Sequence, residues 1–341
     1  MACPGQFLLQ DYENAESPRT RGVNQPAPRP AHAAHRENRV RRRRRGAHTD
    51  PVIDITPHLV RALVSAQFPD WSELPVRPVD RQGWDNRTFR LGEDLTVRLP
   101  SAEGYAAAVA KEDRCLPELA RHLPLPVPEP VAVGVPGAGY PFAWSVRRWL
   151  PGDTVEVAPG IDRTRLARDL GDFLVDLRRA PLGRGPAAGR HSYFRGCHPG
   201  VYGDEVEQAL DRLTDVVDVA ACRAVWAQAL TSAWPAAPTW FHGDVAVGNL
   251  LAAEGTLRAV IDFGSSGVGD PACDLVMAWT YFTGEERKVF REAVGLPDDT
   301  WRRARGWALW KALVTTAGLS GPDPEGRQRR VIDQVLEDPV V

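Results

Sequence analysis

The feature that most restricts how this chain can fold is a pair of short polar loops separated by what reads as a hairpin. Trp240-Phe241-His242-Gly243-Asp244 leads to Asn249, five residues beyond Asp244. Val260-Ile261-Asp262-Phe263-Gly264 then sets Asp262 thirteen residues beyond Asn249. Leu250–Ala252 and Leu257–Ile261 read as short strands around a turn at Glu254-Gly255. Folded back, that hairpin brings the two loops side by side and gathers two carboxylates and a carboxamide. Taken singly, each piece has an ordinary explanation: His-Gly-Asp suits a turn, Asn is a common turn former, and Asp-Phe-Gly can end a strand. Taken together and in this order, they describe a site.

The rest of the chain divides around this block. Residues 1–50 carry ten arginines against five acidic residues, a charge of +5, so the remainder must carry −7 for the chain to total −2. That leader is rich in Pro, Arg, Ala and Asn, lacks sustained apolar periodicity, and reads as a disordered tail. Its Arg41–Arg45 run suggests a nucleic-acid or membrane-surface arm, but one such run is a weak signal and the body is acidic. Nucleic acid is therefore not expected as a partner. No apolar run reaches the roughly 18 residues of a membrane span, and the N-terminus lacks a signal layout, so the expected compartment is the cytoplasm. Cys3, Cys115, Cys197, Cys222 and Cys273 are scattered singly, with no spacing for zinc or a disulfide framework.

Folded sequence starts near Ile53. Thr56-Pro57 reads as a helix cap with Pro at the first position, opening a helix to about Gln67. Strands are expected at 76–79, 88–91 and 95–99, then a helix over about 105–122. A proline-spaced stretch from Pro124 to Pro130 leads to strands at 131–133 and 144–149, and Pro151-Gly152 breaks the chain. Beyond it the pattern is mostly helical, over 166–179, 201–213, 220–234, 271–282, 287–294, 301–317 and 328–336. A sheet-rich first third and a helix-rich remainder read as α+β with two lobes. The boundaries fall at 1–50 for the leader, 51–150 for an N-lobe and 151–341 for a C-lobe.

The central block suits phosphoryl transfer, which needs a carboxylate to orient or deprotonate the attacking hydroxyl and oxygen ligands for Mg²⁺ between the phosphates. Asp244 would be the base or orienter, and Asn249 and Asp262 the metal ligands. The spacing is that of a protein-kinase catalytic loop followed by its Asp-Phe-Gly triplet. No P-loop or H-E-x-x-H signature is present.

His242-Gly243-Asp244 with Asn249, Ile261-Asp262-Phe263-Gly264, and Gly267-Val268-Gly269-Asp270-Pro271-Ala272-Cys273-Asp274-Leu275 together resemble the aminoglycoside phosphotransferase family. Arg148-Trp149-Leu150-Pro151-Gly152 and Gly306-Trp307-Ala308-Leu309 extend the likeness across roughly residues 55–320. The resemblance implies a protein-kinase-like two-lobed fold, with a small antiparallel-sheet N-lobe bearing one main helix and a larger helical C-lobe. It implies ATP as co-substrate with Mg²⁺, and Asp270 and Asp274 as braces of the loop. It also implies a small hydroxylated acceptor such as an aminoglycoside-like antibiotic, hence antibiotic resistance.

On the nucleotide side, the loop Asp80–Thr88 has one glycine, Gly83, followed by Asn86, where protein kinases carry a Gly-rich loop. Arg98 stands where a strand lysine is expected, with Glu112 fourteen residues on as its partner; arginine contacts phosphate oxygens bidentately and is always charged. ATP would lie under the sheet against the hinge from Trp149. An acidic body, with Asp204, Glu205, Glu207, Asp211, Asp215 and Asp218 in one stretch, would favour a cationic acceptor, or be a solvated helix face. A metabolite kinase acting on a sugar, amino alcohol or amino acid fits equally. A nucleotide-binding pseudokinase serving as an interaction module is the reading from a different class.

Overall fold

The computed structural model describes residues 53–83, 85–321 and 323–338. The expected leader, 1–50, lies outside the described residues.

Helix α1 (Pro57–Gln67) begins where Thr56 Oγ1 accepts from the Leu59 N–H at 3.2 Å, with Pro57 at the first position. The strands β1 (Val76–Pro78), β2 (Asn86–Leu91), β3 (Leu95–Pro100), β4 (Pro130–Gly134) and β5 (Trp144–Arg148) form one antiparallel sheet in the order β1-β2-β3-β5-β4. Strand alternation sorts its two faces. Phe89, Leu91, Val97, Leu99 and Val146 form one apolar cluster with Val60, Leu63 and Val64 of α1. The other face turns Arg98 and Arg147 toward helix α2 (Glu103–Leu119). That helix ends three residues before the sequence pattern suggested, shortly after Pro117 in its last turn.

The second half is mostly helical. Strand β6 (Asp153–Thr154) precedes α3 (Arg163–Arg179), α4 (Gly203–Arg212) and α5 (Val219–Ala229). Asp162 caps α3 and Asp218 caps α5, each accepting a backbone N–H at 2.9 Å. Strands β7 (Thr239–Phe241), β8 (Leu250–Ala253), β9 (Thr256–Val260) and β10 (Gly267–Gly269) carry the site, followed by α6 (Met277–Thr280), α7 (Gly284–Val294), α8 (Asp298–Thr316) and α9 (Arg327–Glu337). The hairpin expected between the two polar loops is β8–β9, with β6 added at the β8 edge.

Two helices expected from the pattern differ. The stretch 220–234 stops at Ala229, before Trp234 closes a turn onto the Ala237 carbonyl. The stretch 271–282 is broken into a 3₁₀ turn over Pro271–Leu275 and the short α6. Asp270 and Asp274 explain that break. Asp270 caps the turn at the Ala272 N–H, 3.1 Å away, and Asp274 faces the His242 loop instead of solvent. Strands β6, β7 and β10 went unread because two or three residues show no periodicity.

Helix α8 is the axis of this half, buried along nearly its whole length from Thr300 to Thr315. Its Arg303 is fully buried and donates Nε–H to Asp270 Oδ2 at 2.7 Å, with further bonds to Ser232 Oγ and the Asp299 carbonyl. Among the described residues no helix is long and apolar enough to cross a membrane.

Breaking a buried pair leaves one uncompensated charge. Arg303→Met should therefore lose roughly 3–5 kcal/mol of unfolding free energy in denaturant titrations. Arg302→Met, which removes a partly exposed pair with Asp299, should change stability by less than about 1 kcal/mol. Equal effects would contradict this account of α8.

Candidate active site

Strand β7 delivers the chain into the His242–Asn249 loop, and its pairing with β10 sets Phe241 opposite Gly267. Gly243 has φ +85°, and a Cβ there would lie 2.6 Å from the Ser265 carbonyl oxygen. Only glycine fits both constraints. The buried Asp274 carboxylate accepts from the His242 and Gly243 N–H groups, each at 2.7 Å. Burial pushes its pKa up, against the lowering effect of these bonds. The fully buried His242 donates Nε2–H to the Ile261 carbonyl at 3.0 Å and accepts the Asp244 N–H at Nδ1, 3.2 Å away. Its ring meets Phe263 edge-on at 4.6 Å. One imidazole thus ties both polar loops together, in the neutral form these bonds require.

Asp244 itself is exposed. Asn249 Nδ2 donates to the Asp244 carbonyl and to Oδ2, both at 2.9 Å. That fixes one carboxylate oxygen and leaves the other without a hydrogen-bond partner among the described residues. Asp262 sits at the end of β9 with φ +67° and ψ +65°, a left-handed conformation that non-glycine residues adopt only where their surroundings enforce it. Its Oδ1 lies 3.5 Å from Arg98 Nη2.

Arg98 also lies 3.6 Å from Glu112, so β3 and α2 face each other as the sequence spacing expects. The tighter partner of Glu112 is Arg147, at 3.0 Å. Arg147 is itself fully buried and also donates to Ser145 Oγ and the Pro128 carbonyl. Burial alone would raise the Glu112 pKa, but Arg147 and Arg98 outweigh it and hold the carboxyl below its ordinary value. The sequence offered no local signal for Arg147, whose partner Glu112 lies 35 residues away. Lys111, one position before Glu112, is likewise buried. It donates Nζ–H to the Gly264 and Ser266 carbonyls, clamping α2 to the loop after Asp262. Burial lowers its pKa to about 8.

The other nucleotide-side candidates fall differently. Gly83 has ordinary contact room for a Cβ, 3.5 Å from the Asn86 carbonyl, so no close approach there demands glycine. Asn86 opens β2, and its Oδ1 is buried with no hydrogen-bond partner among the described residues. Trp149 follows β5. Its N–H donates to the Asp94 carbonyl at 2.7 Å and its ring lies under the Arg90 guanidinium at 4.0 Å. The hinge N–H is therefore already engaged within the sheet. The acidic stretch is largely a solvated face: Glu207 pairs with Arg223, Asp218 is a cap, and Asp204, Asp211 and Asp215 are exposed. Glu205 turns inward and accepts from Trp310 Nε1 at 2.9 Å.

The donor chemistry fits Mg²⁺. Asp262 offers a carboxylate, and the Asn249 amide nitrogen is engaged by Asp244, which leaves its oxygen to point elsewhere. Mg²⁺ needs only one or two protein carboxylates beside phosphate and water oxygens. Among the described residues no cluster of three or more His, Cys, Asp or Glu side chains forms a metal cage. Negative charge nonetheless converges on the cleft. Burial first, then Asp262 and Asp244, push the Asp85 carboxyl up to about 7, and a bound cation would relieve that crowding.

An antiparallel sheet with one inward helix, set against a helical half that carries Asp-x₄-Asn and Asp-Phe-Gly loops, defines a kinase-like fold. The chain belongs to the Phosphotransferase enzyme family, whose match spans residues 76–307. Among solved structures it is similar to the GDP and kanamycin complex of APH(2")-IIIa, at 20% identity and TM-score 0.61, covering 83% of this chain and 97% of that one. It is also similar to macrolide 2'-phosphotransferase MphH from Brachybacterium faecium, at 21% identity and TM-score 0.55, covering 83% and 98%. A third, the streptomycin–ATP ternary complex of APH(2")-IIa, matches at 16% identity and TM-score 0.53, covering 84% and 97%. Likeness at these identities establishes the fold. No curated protein sequence matches the chain.

The crowding at Asp85 has a measurable consequence. Its folded pKa of about 7 lies above the ordinary aspartate value of 3.8. The folded state then holds a proton that the unfolded state has lost, and stability falls as pH rises between these values. In nucleotide-free protein, the melting-temperature advantage of Asp85→Asn over wild type should grow from about pH 4 to about pH 7 and level off above. A pH-independent difference would refute this.

Proposed function

We propose that the chain transfers the γ-phosphoryl group of ATP, with Mg²⁺, to a hydroxyl of a small molecule. The observation that carries this reading is the joined set around the cleft. Asp244 and Asn249 are hydrogen-bonded on one loop, and Asp262 lies across from them in contact with Arg98, which Glu112 holds.

Asp244 has a free carboxylate oxygen at an exposed position, which suits it to orient the acceptor hydroxyl and take its proton. The acceptor oxygen then bonds to the γ-phosphorus, the β–γ bridging bond breaks, and ADP departs. Arg98 supplies a guanidinium for phosphate oxygens, and Glu112 with Arg147 keeps it aimed. When bound, Mg²⁺ held by Asp262 and Asn249 would neutralise charge on the phosphates. Asn86 and Gly83, at the loop into β2, would border the nucleotide, as would Trp149 at the hinge.

For the acceptor, family resemblance supports an aminoglycoside-like antibiotic, and the solved relatives include kanamycin and streptomycin complexes. The alternative is a hydroxylated metabolite, a sugar, amino alcohol or amino acid.

Asp244→Ala should lower kcat by about 10²–10⁴-fold, the span of general-base catalysis. Asp262→Ala should abolish Mg²⁺-dependent ADP release, with the fold intact by circular dichroism in both variants. Wild-type turnover by either variant would sink the assignment. ATP binding by the wild type without turnover on any acceptor would favour the pseudokinase.

A further inference from the structure

Lys111 is a buried cation to which the phosphotransferase reading gives no task. It is 5% exposed, and no carboxylate among the described residues pairs with it. Its Nζ instead faces four neutral acceptors. These are the Gly264 carbonyl at 2.5 Å, the Ser266 carbonyl at 2.9 Å, the His191 carbonyl at 3.5 Å and His191 Nδ1 at 3.3 Å. An ammonium taken out of water without a counter-charge is costly to a fold. A methionine would fill the same space without that cost.

Every one of these acceptors belongs to a segment beside the site. Gly264 and Ser266 follow Asp262 directly. His191 lies in the 3₁₀ turn Arg190–Ser192, where its Nε2–H donates to the Ala187 carbonyl at 2.8 Å. The imidazole is therefore neutral, with Nδ1 open to the ammonium. The chain just before it is fastened to β10. Val268 N–H donates to the Pro186 carbonyl and Ala188 N–H to the Val268 carbonyl, both at 2.8 Å.

The contacts close a circuit through the nucleotide side of the cleft. Glu112, the next residue of α2, lies 3.6 Å from Arg98, and Arg98 lies 3.5 Å from Asp262. Gly264, two residues beyond Asp262, leads back to α2 through Lys111. Adjacent residues of a helix point about 100° apart, so α2 holds the sheet with one side chain and the loop with the other. Asp262 is the strained member, at φ +67° and ψ +65°, a conformation that persists only where its surroundings over-determine it. Part of the restraint is internal, since the Phe263 carbonyl accepts the Ser266 N–H at 3.0 Å and the Ser266 hydroxyl at 2.7 Å. The rest comes from α2. A Cβ on Gly264 would lie 3.9 Å from the Ala108 methyl. Ala108 is three residues before Lys111 and so on the same helix face.

We propose that Lys111 is a positioning residue for the metal: its ammonium holds the turn Phe263–Ser265 so that the Asp262 carboxylate stands ready as a Mg²⁺ ligand beside Arg98. This rests on the phosphotransferase reading above and deepens it. Lys111 acts through Asp262 and needs no contact with nucleotide or acceptor.

The test is calorimetric titration of ADP into the nucleotide-free protein at a series of Mg²⁺ concentrations, with the melting temperature of each variant. Lys111→Met should need roughly 10–100-fold more Mg²⁺ to reach half of the full gain in ADP affinity, the span expected when a residue behind a metal ligand is removed. Its ADP affinity without Mg²⁺ should stay close to that of the wild type. Lys111→Arg keeps the charge and the donors, and should recover most of the shift. Arg305→Met is the control for a buried cation with a structural role alone. Arg305 Nε donates to the Val335 carbonyl at 2.8 Å, joining α8 to α9 outside this circuit. Its loss should lower the melting temperature and leave the Mg²⁺ requirement at the wild-type value.

A Lys111→Met protein with the wild-type Mg²⁺ requirement would overturn this inference and leave the phosphotransferase reading standing. So would an equal shift in Arg305→Met, or failure of both Lys111 variants to fold, since either makes Lys111 a folding residue. Asp262→Ala separates the two ideas. If that variant also keeps the wild-type Mg²⁺ requirement, or if the wild type binds ADP without regard to Mg²⁺, the metal assignment falls and this inference falls with it.

Discussion

The site depends first on a buried carboxylate that does no chemistry. Asp274 accepts the backbone N–H groups of His242 and Gly243 at 2.7 Å each, which fixes the turn from which Asp244 projects. Hydrogen bonds from buried N–H groups to a charged acceptor are among the stronger ones available to a fold. The bracing role that the family resemblance implied for Asp274 matches this geometry. Asp274 can reach the loop only because the stretch after Asp270 is a 3₁₀ turn and not the start of a regular helix, and that turn is pinned by Arg303 from α8. The most buried helix of the molecule thereby sets the position of its most exposed reactive carboxylate.

The nucleotide side is built on a second buried network, Arg98–Glu112–Arg147. Replacement of the strand lysine by arginine is coherent here. A guanidinium is planar and permanently charged, so Arg98 can face Glu112 and Asp262 at once, as a single ammonium would do less well. Glu112 is kept ionised in the interior only because two guanidinium groups flank it. Lys111 adds a mechanical link, joining α2 to the carbonyls that follow Asp262. Side-chain contacts therefore join helix, strand and the loop after Asp262, and they set Arg98 beside Asp262 without a ligand.

The acidic stretch that would favour a cationic acceptor is largely a solvated face. The body of the chain is acidic, but charge totals describe the surface as a whole and not one wall of a cleft. The carboxylates at 204–218 are mostly solvated, capping or paired on the outer face, and Glu205 turns inward to accept from Trp310.

By itself, the sequence determined what depends on neighbours along the chain. The Asp244, Asn249 and Asp262 spacing, the hairpin between them and the Thr56 cap were all legible, because each is satisfied within about twenty residues. The Arg98–Glu112 pairing was legible too, since a strand followed by a helix leaves few ways to face. Tertiary structure alone decided the partners that lie far apart in sequence. Arg147 on Glu112, Lys111 on the loop after Asp262, Arg303 on Asp270, and Arg195 over Trp310 have no local signal. A charged residue reads as surface until burial forces it to find a counter-charge. Where that counter-charge sits is set by how sheet, hairpin and α8 pack together.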